Sequence, residues 1–331
     1  MKRIGVLTSG GDAPGMNANI RAVVRAGLAA GLEVFGIERG YSGLLAGVLR
    51  PFASHDVSGI VNRGGTILRS ARCAEFHSAE GRARAAQVCA LHGIEGLVTC
   101  GGDGTFTGAR LLWREHGIAI AGTPGTIDND LAGTDHTIGF DTAVATAVEA
   151  CDKIRDTADS HDRIFVVEVM GRRRGDIALH TALAAGAEVV LLPECPAFDL
   201  AAGVARLRLA KEAGKTSMLV IVAEGAGQAG SVAQAIAAGL PGASVRVSVL
   251  GHMLRGGTPT ANDRLLATIT GAEAVRALTE LGRDCCHHLG VVANQPVRTP
   301  LDAVIGATKP LEPGLLETLE VTAGLRPGQD G

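Results

Sequence analysis

Gly96-Leu97-Val98-Thr99-Cys100-Gly101-Gly102-Asp103-Gly104-Thr105 is the stretch on which the fold turns. A short apolar run ends in glycines, and a helical pattern over 105–115 begins among them. This is how a buried strand passes directly into a helix. The same alternation continues on both sides. Strands are predicted at 4–8, 34–37, 118–121, 164–169, 189–192, 218–223, 245–250 and 289–293, and helices at 17–30, 142–156, 176–185, 200–213 and 260–281. Strand–helix order of this kind predicts an α/β protein with mainly parallel sheets in three-layer αβα, Rossmann-like lobes. At 331 residues the chain exceeds one ordinary core, so two lobes are expected. No linker-like or repeated segment separates them, so the boundary is a crossing between sheets.

Composition narrows the function classes. Hydrophobic residues make up 46% and charged residues 20%, the balance of a globular protein with large cores. A net charge of −3 gives no reason to expect nucleic acid or an anionic membrane as partner. The longest uncharged stretch, 225–245, is broken by Gly, Pro and Gln and does not read as a membrane span. The amino terminus runs straight into a strand without the core of a signal peptide. Seven cysteines without framework spacing point to free thiols and a cytoplasmic location. Only five of the 31 basic residues are Lys, and the rest are Arg, whose planar fork suits phosphate oxygens.

Parallel sheets bind ligands at the carboxyl ends of their strands, so the glycine-rich turns after strands are the places to search. Four stand out: Thr8-Ser9-Gly10-Gly11-Asp12-Ala13-Pro14-Gly15, residues 101–104, Gly122-Thr123-Pro124-Gly125-Thr126-Ile127-Asp128-Asn129-Asp130, and Leu250-Gly251-His252-Met253-Leu254-Arg255-Gly256-Gly257. Asp103, flanked by glycines at a strand end, is placed to hold Mg²⁺ bridging phosphates; the plainer reading is a carboxylate capping the next helix. Thr126, Asp128 and Asp130 put a hydroxyl and two carboxylates into one turn, where one carboxylate serves as general base, although Asp-Asn-Asp is also ordinary turn composition. Arg163, Arg172, Arg246 and Arg255 lie near strand edges and together favour a phosphorylated substrate. Singly, each reads as a surface ion pair. The set sketches a phosphoryl-transfer site.

Three other patterns carry less. Gly225-Ala226-Gly227-Gln228-Ala229-Gly230 has the spacing of a dinucleotide fingerprint, but no Asp or Glu follows before Asn262 to take a ribose. Arg246 leaves an NADP variant of that reading open. Gly214-Lys215-Thr216 resembles the end of a P-loop, yet Leu209 occupies the position due to glycine. Cys285-Cys286-His287-His288 offers adjacent metal-type side chains without a second pair.

Taken in order, the four turns and Val167-Glu168-Val169-Met170-Gly171-Arg172 resemble the bacterial ATP-dependent 6-phosphofructokinase family, from Ile4 to about Pro310. The resemblance implies the phosphofructokinase fold, with 1–138 plus 251–305 as an ATP-binding lobe, 139–250 plus 306–320 as a fructose 6-phosphate-binding lobe, and 321–331 as a flexible tail. It implies Mg²⁺-dependent transfer of the ATP γ-phosphate to the 1-hydroxyl of fructose 6-phosphate. Gly11, Tyr41, Arg72, Cys73, Gly102, Asp103, Gly104 and Thr105 would bind ATP, Asp103 holding Mg²⁺, with Cys73 where an aromatic commonly packs near the adenine. Asp128 would be the base, assisted by Thr126, Asp130, Arg172 and Gly11. Met170, Gly171, Arg172, Glu224, His252 and Arg255 would hold the sugar phosphate with Thr126 and Asp128, and Arg163 and Arg246 would reach in from a neighbouring subunit of a homotetramer.

The resemblance leaves the phosphoryl donor to two residues. A pyrophosphate-using branch typically carries Asp at the position of Gly104 and Lys at that of Gly125, so two glycines favour ATP. An ADP or phosphoenolpyruvate effector site is implied at Arg21, Arg25, Arg155, Glu188 and Lys215. Ser54, Gly59, Ala213 and Thr216 lack the charges often found beside it, so a weak or altered response is expected. The alternatives are a pyrophosphate-dependent enzyme, a kinase of another sugar phosphate, and a non-catalytic nucleotide sensor, which would not need Asp103, Asp128 and Arg172 together.

Overall fold

The computed structural model describes residues 1–195 and 198–322. In chain order the elements are β1 Arg3–Thr8, α1 Met16–Ala29, β2 Glu33–Ile37, α2 Gly40–Ala46, β3 Leu49–Phe52, α3 Ala79–His92, β4 Gly96–Gly101, α4 Asp103–His116, β5 Ala119–Pro124 and α5 Phe140–Asp159. They continue as β6 Arg163–Val169, α6 Asp176–Ala185, β7 Val189–Leu191, α7 Leu200–Glu212, β8 Met218–Ala223, α8 Ala229–Gly239, β9 Ser244–Val249, α9 Ala261–Leu281, β10 Cys286–Val292, β11 Gln295–Pro300, α10 Leu301–Val304 and α11 Pro313–Thr322. The described residues form two compact units, Met1–Thr142 with Arg255–Lys309, and Ala143–Leu254 with residues 310–322. The expected tail at 321–331 lies outside the described residues from 323 onward, and 321–322 complete α11.

The first unit is built on a seven-stranded sheet of order β11-β10-β5-β4-β1-β2-β3. Its interior pairs are parallel, and the edge strands β3 and β11 run antiparallel to their neighbours. Ile4, Val6 and Val98 bury against α1 and α9 on one face. Leu7, Leu97 and Ile120 bury with Phe106 and Leu112 of α4 on the other. This is the alternation that a sheet covered on both faces requires. The two edge strands escape periodicity because they carry prolines, Pro51 in β3 and Pro296 in β11, which are tolerated at an edge where no ladder bond is lost. A two-residue turn at Ala293 and Asn294, with φ 49° and 62°, joins β10 to β11 in the sense that matches strand twist.

The second unit has a four-stranded, all-parallel sheet of order β7-β8-β6-β9. Ile164, Val166, Val220 and Val222 pack with Leu207 of α7 and Val232 and Ile236 of α8. The buried residues out of phase with them, Val167, Leu219 and Ile221, turn to the other face, where α6 lies on β7 and β8 and carries α11. Both units are therefore three-layered.

Candidate active site

In the first unit, three of the four turns converge because β1, β4 and β5 are neighbours in register. Thr8 pairs with Cys100, and Gly101 pairs with Pro124. The Ser9 N–H donates to the Cys100 carbonyl at 3.0 Å, and the Gly125 N–H donates to the Gly101 carbonyl at 3.0 Å. The Thr105 hydroxyl donates to the Ser9 carbonyl at 3.2 Å. Carboxyl ends of adjacent parallel strands thus bring Gly10-Gly11, 101–105 and 125–130 to one edge of the sheet.

Asp103 opens α4 but does not cap it. Gly102 is the N-cap residue, and Asp103 Oδ1 instead accepts the Gly306 N–H at 2.8 Å. That disposes of the capping alternative and leaves the second oxygen of a half-buried carboxylate. Among the described residues no group of three or more His, Cys, Asp or Glu is arranged to hold a metal. A lone carboxylate fits Mg²⁺ that arrives with phosphates and keeps several waters.

The glycines around Asp103 divide into two kinds. A Cβ at Gly104 would meet nothing within 4 Å, so packing does not demand glycine there. A Cβ at Gly125 would stand 2.6 Å from Cys100 Sγ and 2.9 Å from the Met16 methyl. Glycine at 125 therefore answers to the core of this chain, and of the two glycines expected to mark the donor only Gly104 is free of such packing. At Gly11 a Cβ would reach 2.6 Å from Arg255 Nη1, and that guanidinium also donates to the Asp12 carbonyl at 3.3 Å.

Tyr41 is 5% exposed. Its ring stacks on Phe76 at 3.8 Å, and its hydroxyl donates to the Thr105 carbonyl at 2.7 Å. Burial pushes its phenol far above the usual range. It braces the first turn of α4 from beneath. Arg72 is exposed, and Cys73 is half-buried against the cluster containing Tyr41 and Phe76.

The acidic turn is closed on itself. The Ile138 N–H donates to the Pro124 carbonyl at 2.7 Å, and Gly125 bridges Ile138. The Asp128 N–H donates to Thr126 Oγ1 at 3.2 Å, and Asp128 is 1% exposed. Asp263 is a supporting residue that the motifs did not name. It accepts the Gly139 N–H at 2.7 Å and the Thr142 N–H at 2.8 Å, and burial raises its carboxyl to about 6 against those bonds. The available signal was Thr260, whose side chain caps α9 by accepting the Asp263 N–H at 3.3 Å.

In the second unit, Met170, Gly171 and Arg172 form the turn after β6, and Glu224 follows β8, the next strand in the sheet. Glu224 Oε1 accepts the Gly171 N–H at 3.0 Å and the Arg172 N–H at 2.6 Å. It stabilises a turn in which Arg172 has φ 55°, a left-handed conformation unusual for a side chain. Arg172 and His252 are exposed. Arg163 begins β6 and Arg246 pairs with Phe165, so both belong to the amino-terminal half of the sheet. At about 3.3 Å per residue, Arg163 lies roughly 20 Å along β6 from the turn that carries Arg172.

Of the effector set, Arg155, Glu188 and Lys215 come together. Buried Glu188 takes Lys215 at 2.7 Å and Arg155 at 3.8 Å, while Arg155 Nη2 also donates to the carbonyls of Ala185 and Gly186 at the end of α6. Arg21 and Arg25 lie on α1 of the first unit.

The remaining motifs have structural explanations. Gly214-Lys215-Thr216 follows a helix and precedes a strand, the reverse of a P-loop. In the 225–230 turn the first N–H of α8, from Ala229, is taken by Glu168 Oε2 at 2.7 Å, so a protein carboxylate stands where a dinucleotide phosphate would. The Cys285 thiol donates to the Ile120 carbonyl at 3.2 Å, and burial drives His288 down to about 3, so this run belongs to the core. All seven cysteines are free, and no described helix is long and apolar enough to cross a membrane.

A profile of the phosphofructokinase family matches residues 3–278. The ATP-dependent 6-phosphofructokinase 1 of Thermus thermophilus is 53% identical over 325 residues, 98% of this chain and 100% of the relative. The ATP-dependent 6-phosphofructokinase of Clostridium botulinum (strain Eklund 17B) is 49% identical over 321 residues, 97% of this chain and 99% of the relative. Among solved structures, phosphofructokinase from Saccharomyces cerevisiae matches with a TM-score of 0.86 at 38% identity, covering 97% of this chain. This chain spans 46% of that yeast chain. A pyrophosphate-dependent phosphofructokinase from Marinobacter aquaeolei matches with a TM-score of 0.82 at 22% identity, covering 94% of this chain and 86% of its own. At that identity the likeness is one of fold.

Proposed function

The chain belongs to the phosphofructokinase family, and we propose that it transfers the γ-phosphate of ATP to the 1-hydroxyl of fructose 6-phosphate, giving fructose 1,6-bisphosphate and ADP in glycolysis. The observation that carries this reading is Gly104. Relatives about half identical over almost their whole length are named ATP-dependent. Here the glycine at 104 faces open space that packing does not require, the room a nucleotide needs. The phosphofructokinase fold is shared with pyrophosphate-dependent enzymes, so the donor must be argued from that position and not from the fold.

In this reading the 102–105 turn receives phosphates on main-chain N–H groups at the start of α4, and the Gly10-Gly11 bend between β1 and α1 offers its own main-chain N–H groups. Asp103 holds Mg²⁺, which when bound neutralises charge on the donor phosphates. Asp128 accepts the proton of the attacking sugar hydroxyl, with Thr126 and Asp130 beside it and Gly11 close against the phosphates. Phosphoryl transfer asks chiefly for positioning and charge stabilisation. Arg172 and Arg255 supply cations for the transferring phosphoryl and the sugar phosphate, with Met170, Gly171, Glu224 and His252 shaping the sugar subsite.

An aldolase-coupled assay with fructose 6-phosphate, offered ATP or pyrophosphate in turn, tests this. ATP is expected to support turnover, and Asp128→Ser to lower kcat by at least ~10²-fold. Turnover with pyrophosphate alone sinks the donor assignment, and near-normal activity in Asp128→Ser sinks the base.

We propose further that Arg163 and Arg246 serve a neighbouring subunit in a homotetramer. Their distance along the sheet from the Arg172 turn supports it. Arg246→Ala and Asp128→Ser proteins, each nearly inactive, should regain a substantial fraction of activity when dissociated together and reassembled. No recovery in mixed oligomers would count against shared sites.

A further inference from the structure

One segment of the first unit, residues 301–309, touches both acidic motifs. Near its start, Asp302 pairs with Arg110 at 2.8 Å and Arg114 at 2.7 Å, both on α4. In its middle, the Gly306 N–H donates to Asp103 Oδ1 at 2.8 Å, and Gly306 has φ 72°, a left-handed conformation that glycine adopts without strain. At its end, Lys309 Nζ donates to Asn129 Oδ1 at 2.8 Å and to the Asp135 carbonyl at 2.5 Å.

Asn129 is the residue between the two carboxylates of the acidic turn. It is 1% exposed with φ 52°. A buried non-glycine residue in that region persists only where its surroundings hold it. Its Oδ1 also accepts the Thr137 N–H at 3.2 Å, so Lys309 and Thr137 share one acceptor. Asp135, the second partner of Lys309, is itself tied back: its N–H donates to the Val291 carbonyl at 2.8 Å, and Oδ2 accepts the Ala293 N–H at 2.7 Å. Lys309 is thus clamped between the acidic turn and the end of the central sheet.

We propose that residues 301–309 act as a positioning strap that sets the acidic turn and the Asp103 turn in register with each other, with Lys309 as the positioning residue for Asp128. The proposal rests on the roles given above to Asp103 and Asp128. Through the Gly306 N–H on Oδ1, the strap fixes the orientation of the Asp103 carboxylate that would hold the metal. A single carboxylate suits an ion that binds through one or two carboxylates and keeps its other sites for water and phosphate. By holding Asn129, it fixes the backbone on which Asp128 is mounted. A misplacement of about 1 Å at such a point is enough for a 10²-fold loss of rate.

The test compares Lys309→Met and Lys309→Arg with wild type by steady-state kinetics and by amide hydrogen exchange of the full-length enzyme. Lys309→Met is expected to lower kcat by about 10- to 100-fold with both KM values within about threefold of wild type. It should also speed exchange of the Thr137 amide by about 10-fold or more. Lys309→Arg, which keeps the cation and its donors, is expected to restore most of both. The strap is overturned if Lys309→Met keeps wild-type kcat, if kcat falls with Thr137 exchange unchanged, or if Lys309→Arg is no better than Lys309→Met. Should Lys309→Met not fold, Asp302→Ala, which releases the other end, decides by the same readouts. A wild-type enzyme inactive with ATP would defeat the functional reading, while the exchange comparison would still decide on the strap.

Discussion

The turns at 101–105 and 225–230 look alike in sequence: each follows a strand, opens a helix and is rich in glycine. They differ in what stands against them. Gly104 faces open space, and no side chain caps α4. At the second turn the Arg172 carbonyl lies against Gly225, and Glu168 takes the first N–H of α8. Glycine records only that a side chain is missing. Whether the vacated room belongs to a ligand or to the protein's own backbone is decided by neighbours from distant parts of the chain. A dinucleotide reading of the second turn fails on that ground, independently of the missing ribose-binding acid.

The largest expected effect tests the open turn. Gly104→Asp adds a side chain that the protein itself can accommodate, so folding stability should change by less than about 1 kcal/mol. The carboxylate would stand in the space assigned to the nucleotide, and kcat/KM for ATP should fall by at least ~10²-fold, because charged repulsion adds to lost room. Thermal denaturation beside the coupled assay reads both. If Gly104→Asp keeps normal ATP use, the open space is not the donor's and the contrast between the two turns loses its functional meaning.

Much of this fold can be read from the chain before any coordinates, but unevenly. β4, β5 and β8 are buried along their whole length, and so largely apolar, because both faces are covered. β3 and β11, at the edges, are not: prolines and half-exposed residues erase their pattern. α3 is also poorly marked, since Arg82 interrupts its buried face, where it pairs with Glu115 at 2.6 Å. For the candidate site, the motifs bring out Asp103 and Asp128 because carboxylates among glycines in a turn are rare enough to be noticed. Gly306, Lys309 and Asp263 are different. Each reaches its partner across more than a hundred residues, Lys309 to Asn129 across 180, and nothing in the local spacing of Gly-Ala-Thr-Lys marks a supporting role. Gly125 shows the opposite failure: a motif residue whose glycine is explained by Cys100 and Met16 in the core.

The smallest expected effect probes the filled turn, with two glycines five residues apart. Gly225→Ala would drive a Cβ into the Arg172 carbonyl, with Pro193 Cγ and Arg173 Cα only 3.3 Å away. Backbone on one side and a proline ring on the other leave no flexible chain end to yield, so a loss of about 1–3 kcal/mol is expected. Gly230, inside α8, meets nothing within 4 Å, and alanine there should be neutral or stabilise by up to about 0.5–1 kcal/mol, since it reduces the entropy lost on folding. Urea midpoints at unchanged m-value for the second unit's transition measure the difference. If Gly225→Ala is as stable as Gly230→Ala, the Arg172 turn is able to withdraw from β8. The second turn would then be an adaptable surface, and the line drawn between a turn kept open and a turn filled by protein would have to be given up.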